Sequence, residues 1–135
     1  MELIKSDRLP LVTDQDIVLA RKKVREWSVE VGFGLVDQTK VTTAASELAR
    51  NTMQHGHGGE MEIAVVKNES FRSGLRLVFE DHGPGIIDIK LALTDGYTTG
   101  SGMGLGLSGS KRLMNEFNLE TEPGKGTRVT VIKWK

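Results

Sequence analysis

The chain has 135 residues, 38% of them hydrophobic and 27% charged, and no cysteine. That length suits a single domain, residues 1–135, able to bury a core, and without cysteine there are no disulfides, thiolate nucleophiles or Cys-based zinc sites. Eighteen Lys plus Arg offset eighteen Asp plus Glu, which argues against a partner held mainly by charge, such as nucleic acid or an anionic membrane. Met1–Pro10 carries Glu2, Lys5, Asp7 and Arg8 and reads as no secretory segment. Apolar runs such as Ile63–Val66 are four residues long, against roughly 20 for a membrane span. A soluble, cytoplasmic protein is the expectation.

In chain order, residues 2–12 read as a strand ending at Leu11-Val12. Thr13 is a good N-cap, with Asp16 placed to close a capping box and Val12 and Ile17 placed for a hydrophobic staple. Ile17, Ala20, Val24, Trp27 and Val31 recur at helical spacing and predict a helix over 14–31, stopped by Gly32 and Gly34. Asp37 is the expected cap of a second helix reaching about Gln54, with Val41, Ala45 and Leu48 as its apolar stripe. Met61–Val66 and Leu75–Glu80 alternate as strands around a turn at Asn68–Gly74. A short helix is expected around Asp88–Leu93 and a longer one over Leu105–Phe117. Strands at Asn118–Glu122 and Thr127–Trp134 flank a Gly124-Lys125-Gly126 turn. Tight turns between adjacent strands imply antiparallel pairing. The order predicts an α+β two-layer sandwich, with a mixed, mostly antiparallel sheet covered on one face by helices.

Three features could carry chemistry. Glu47, Asn51 and His55 share one face of the second helix, apart from its apolar stripe. Such a face is most often merely solvated. Here it runs into a glycine cluster, and Asn is a poor helix former unless it is used. A carboxylate can orient or deprotonate a nucleophile, and an amide oxygen can hold Mg²⁺ without adding charge. Next, Asp81-His82-Gly83-Pro84-Gly85 directly follows a strand. It is either an ordinary turn or an acceptor at a strand end beside glycines that admit a planar ligand.

The third feature is glycine density. Sixteen of 135 residues are glycine, and eight of those lie between Gly83 and Gly109, well above a usual ~7%. Gly100-Ser101-Gly102-Met103-Gly104-Leu105-Gly106-Leu107 leads into a helix, and N–H groups there make an anion site. Thr94–Ser110 has no Lys or Arg. Neutralising a phosphate would therefore fall to N–H groups, the helix dipole and a metal, or to a cation from Arg50 or a partner.

Other motifs fail. Gly104–Gly109 spells GxGxxG but lacks a preceding strand and a following βαβ unit. No P-loop, H-R-D or D-F-G sequence is present. His55, His57 and His82 have no acidic residue at zinc-ligand spacing.

Together, Glu47–Asn51, Asp81–Gly85, Gly102–Leu107 and Gly124–Thr127 resemble, in order, the N, G1, G2 and G3 boxes of the GHKL ATPases, which share the Bergerat fold. The small size points to the branch of stand-alone anti-sigma factors and serine kinases. Ser46–Asn51, Glu80–Ile86, Lys111–Phe117 and Ile132–Trp134 look like the switch serine kinases of stressosomes. The resemblance implies that Glu47 is the general base and that Asn51 binds the Mg²⁺ of ATP. It further implies that Asp81 accepts from the adenine amino group, with Gly83 and Gly85 shaping that pocket. Gly102, Gly104, Gly106 and Leu107 would lie along the phosphate lid, and Thr127 would support the adenine end. The function so implied is phosphorylation of STAS-domain stressosome proteins, followed by activation of a PP2C-type phosphatase in a sigma-factor pathway. A non-catalytic, nucleotide-gated partner-switching protein or anti-sigma factor is the alternative.

Overall fold

The computed structural model describes residues 1–86, 93 and 107–135. Strand β1 spans Glu2–Leu11, and helices α1 (Asp14–Val31) and α2 (Leu35–Gln54) follow it. Strands β2 (Gly59–Lys67) and β3 (Ser73–Asp81) form a hairpin. A short helix α3 (Leu107–Leu113) then leads into β4 (Glu116–Glu122) and β5 (Gly126–Trp134).

The sheet order is β1-β2-β3-β5-β4, and all four pairings are antiparallel. Strand alternation sends Leu75, Leu77, Phe79 and Asp81 to one face, with Val129 and Val131 of β5 beside them. The apolar members of that row join Ile17, Val24, Trp27, Val41, Ala45 and Leu48 of the helices in one buried cluster. Burying each large side chain there contributes roughly 1.5–3 kcal/mol before entropy is counted. The opposite face carries an ion-paired row, Arg8 to Glu60 and Glu62, Arg76 to Glu62, and Arg128 to Glu80. A small apolar cluster of Ala64, Val66, Ile132 and Trp134 lies at one end of it.

Thr13 caps α1 in a complete capping box with Asp16, and every apolar position expected on that helix is buried. The staple differs: Val12 stays 62% exposed, and Leu11, fully buried, takes the inward place at that entry. Helix α2 starts earlier than its acidic residue suggests. Gly34 is the N-cap, without a side-chain hydrogen bond, and Asp37 sits inside the first turn, where a carboxylate still complements the helix dipole.

The largest departure concerns residues 105–117. Helix α3 ends at Leu113, and Glu116 and Phe117 already belong to β4. Tertiary bonds override the helical pattern there. The buried Lys133 amine donates to the Leu113 carbonyl at 3.0 Å, ending the helix. Asn115 then pairs with β5, its N–H donating to Ile132 O and its side-chain oxygen accepting from Trp134 N–H at 2.7 Å. The helix expected around Asp88–Leu93 falls outside the described residues, Leu93 apart. Among the described residues, no helix is long and apolar enough to cross a membrane.

Candidate functional site

Asp81 is the last residue of β3, and strand parity turns it inward beneath the helices, where it is 7% exposed. Its Oδ1 accepts from Gly83 N–H at 2.9 Å. Burial pushes its carboxyl above the ordinary aspartate range, against the opposing pull of hydrogen bonds from the Gly83 and Thr127 backbones and of nearby His55 and His82. A buried carboxylate is costly unless it serves as an acceptor, so its position at a cavity wall is informative.

That cavity is narrow, ≈ 20 Å³, and is bounded by Asn51, Thr52 and His55 of the α2 end, Phe79 and Asp81 of β3, Ile86, Leu107 and Thr127. The structure thus brings Asn51, Asp81, Leu107 and Thr127 together from four separate parts of the sequence. Among the described residues, His55 Nε2 is buried without a hydrogen-bond partner, and such an orphaned polar atom costs roughly 1–3 kcal/mol until something bonds to it. A buried acceptor, an orphaned ring nitrogen and a neutral amide oxygen are polar groups of the kind that bond a purine and a magnesium ion, but the space between the described residues holds about one water, far less than a purine.

Thr127 pairs with a residue the motifs do not name. Its hydroxyl lies 3.0 Å from the Thr121 hydroxyl, which also accepts from Ile86 N–H at 2.9 Å. This pair ties β4, β5 and the segment after Asp81 into one wall.

The glycines after Asp81 serve the chain's own backbone. A Cβ on Gly83 would lie 2.6 Å from Gly56 O, and one on Gly85, whose φ is +75°, would lie 2.2 Å from Glu122 O. Both let two protein segments touch, where the sequence alone suggested room for a ligand. Gly102, Gly104 and Gly106 lie outside the described residues.

Glu47 is one helical turn before Asn51 but opens elsewhere. It lines a groove of ≈ 530 Å³ between α1 and α2 with Arg21, Arg25, Thr42, Thr43, Ser46 and Arg50. Arg50 Nη1 donates to Glu47 Oε1 at 3.0 Å, and the two side chains are 45% and 41% exposed. Arg50 therefore engages the carboxylate within the groove. It does not line the cavity that holds Asn51, because successive helical residues diverge by about 100°.

Residues 36–135 match the family described as histidine kinase-, DNA gyrase B- and HSP90-like ATPase. The chain belongs to this family. It is 46% identical over 124 residues to the serine/threonine-protein kinase RsbT of Bacillus subtilis (strain 168), covering 92% of each chain, which places it in a branch with protein serine/threonine kinase activity. It is also 30% identical over 127 residues to an anti-sigma F factor of Clostridium novyi, covering 91% of this chain and 89% of that one. Two solved structures share the fold. The RsbU and RsbW domains of a Mycobacterium tuberculosis protein superpose with TM-score 0.62 at 19% identity, over 96% of this chain and 32% of that one. The SiaB–SiaC complex of Pseudomonas aeruginosa gives 0.54 at 15% identity, over 99% and 91%.

Sequence reasoning missed Thr121, Gly56 and Thr52 as parts of the site. Gly56 reads as a helix stop, since nothing local announces that Asp81 will pack on it. Thr121 is legible only through strand pairing, which sets it opposite Thr127.

Proposed function

We propose that the chain is a Mg-ATP-dependent protein serine kinase that phosphorylates STAS-domain stressosome proteins in the cytoplasm. In this reading it then changes partner to activate a PP2C-type phosphatase of a sigma-factor stress pathway. The relation to RsbT supports the substrate class. One observation carries the catalytic part. Glu47 stands half-exposed over an open groove, while Asn51 and Asp81 share a separate, narrow cavity. A base so placed is reachable by a hydroxyl on another protein, and a nucleotide buried deeper would not block it.

Each residue then has a task. Asp81 would accept from the adenine amino group. Thr127, held by Thr121, would support the adenine end. Asn51 would hold the Mg²⁺ through its amide oxygen, and the resemblance would assign Gly102, Gly104 and Gly106 to the phosphates. Glu47 takes the proton from the serine Oγ as that oxygen becomes a phosphoester. ATP supplies the γ-phosphoryl group, whose bond to ADP breaks as the new one forms, and Mg²⁺ offsets the charge. Positioning and charge neutralisation account for most of such catalysis, and the base accounts for roughly 10²–10⁴-fold.

The relation to anti-sigma F factors and the Arg50 ion pair on Glu47 favour a second reading, a nucleotide-gated binding module without transfer. Mass analysis of a STAS-domain partner after incubation with Mg-ATP separates the two. A gain of one phosphate supports the kinase. An unmodified partner with ATP bound supports the module.

A further inference from the structure

The groove that holds Glu47 has an uneven charge. Arg21 and Arg25 lie at i and i+4 on α1 and so share one face, and both line the groove opposite Arg50 of α2. Among the described residues, neither Arg21 nor Arg25 has a hydrogen-bond or ion-pair partner. Lys23 on the same helix behaves differently. It is engaged with Asp7 and approaches the Trp27 ring. Among the described residues, the one acidic side chain bounding the groove is Glu47, already paired with Arg50. Three guanidinium groups against one carboxylate leave a strong local excess of positive charge on a chain of zero formal net charge. Thr43 and Ser46 add hydroxyls to the same wall. Guanidinium groups recognise carboxylates through paired, charge-assisted hydrogen bonds.

We propose that this groove takes an acidic segment of the protein substrate, close in sequence or space to the hydroxyl that is phosphorylated. Arg21 and Arg25 hold that segment. Arg50 is a positioning residue: in the free protein it occupies Glu47, and an incoming carboxylate competes for it. The exchange is easy because an exposed ion pair at i, i+3 is weak. Glu47 is thereby released to accept a proton when the acidic substrate is in place, and stays engaged when it is not. This rests on the kinase reading for the role of Glu47, while the binding of an acidic segment does not.

The test uses octaglutamate as the probe and the whole chain as the receptor, followed by NMR of the arginine Nε–Hε signals. Saturable shifts at Arg21, Arg25 and Arg50 are expected. The double variant Arg21→Gln/Arg25→Gln should bind the peptide at least tenfold more weakly, and Lys22→Gln, which removes the same charge outside the groove, should bind within twofold of the original. No saturable shift at the three arginines, or equal weakening by Lys22→Gln, would overturn the proposal. Phosphotransfer supplies the second arm, on a STAS-domain partner that accepts phosphate. The double variant should raise KM tenfold or more with a much smaller change in kcat, whereas Arg50→Gln should narrow the rate difference between that partner and a version with its acidic residues neutralised. An unchanged KM and an unchanged rate difference would contradict it. Absence of transfer together with shifted arginines would remove the kinase reading and leave the groove standing.

Discussion

The Asp81 carboxyl packs directly against the backbone of Gly56, so that a Cβ added at Gly56 would lie 2.2 Å from Asp81 Cγ and 2.3 Å from Oδ2. The end of α2 and the end of β3 thus touch at the group that faces the cavity. Gly56→Ala must push Asp81 aside. We expect a loss of about 1–3 kcal/mol in urea unfolding, in line with other overpacking changes. ATP affinity should fall about tenfold or more, equivalent to ~1.4 kcal/mol. Unaltered ATP binding in calorimetry would show that the carboxyl position is not what the nucleotide reads.

Asp81→Asn separates stability from binding. Burial raises the folded-state pKa of Asp81 above its ordinary 3.8. A raised acid favours folding fully below the unfolded value, and that contribution is lost as pH rises through the folded value. At neutral pH the ionised side chain therefore works against the fold. The Asn variant should melt at the same or a higher temperature without nucleotide, yet lose about 10- to 100-fold in ATP affinity through loss of a charged acceptor, worth roughly 1.5–3 kcal/mol. In the unsubstituted chain, ATP binding should weaken on acidification through the raised pKa, and the Asn variant should lack that dependence. A phosphate-only ligand such as tripolyphosphate should be much less affected than ATP, and equal losses would contradict the adenine assignment.

Lys133 is 7% exposed, with its amine on the Leu113 carbonyl and 3.8 Å from Asp37. Lys133→Met leaves that carbonyl without its donor. We expect a loss of about 1–3 kcal/mol, read as a lower urea midpoint with unchanged slope. A neutral result would mean that α3 ends where it does without help from the amine.

The same lysine shows where reading the sequence succeeds and where it stops. Helix α1 was legible in full, because Thr13, Asp16 and the period of Ile17, Ala20, Val24 and Trp27 are local signals. The hairpin strands were legible through Leu75, Leu77 and Phe79 for the same reason. The end of α3 was not, because Leu113–Phe117 keeps a helical pattern that only Lys133, Ile132 and Trp134 overrule, and they lie about twenty residues further on. Strand parity turns Asp81 toward a cavity that Asn51 of α2 also lines. The contact with Gly56, the Thr121–Thr127 pair and the turning of Glu47 into a separate groove depend on tertiary packing, which no local pattern encodes.

The most direct test of the central claim is the intact mass of a STAS-domain partner after incubation with Mg-ATP and this chain, with Glu47→Ala alongside. A gain of one phosphate is expected, slowed by roughly 10²–10⁴-fold in the variant, which should still bind ATP. Equal phosphorylation by the variant, or ATP bound with no phosphate on the partner, would contradict it.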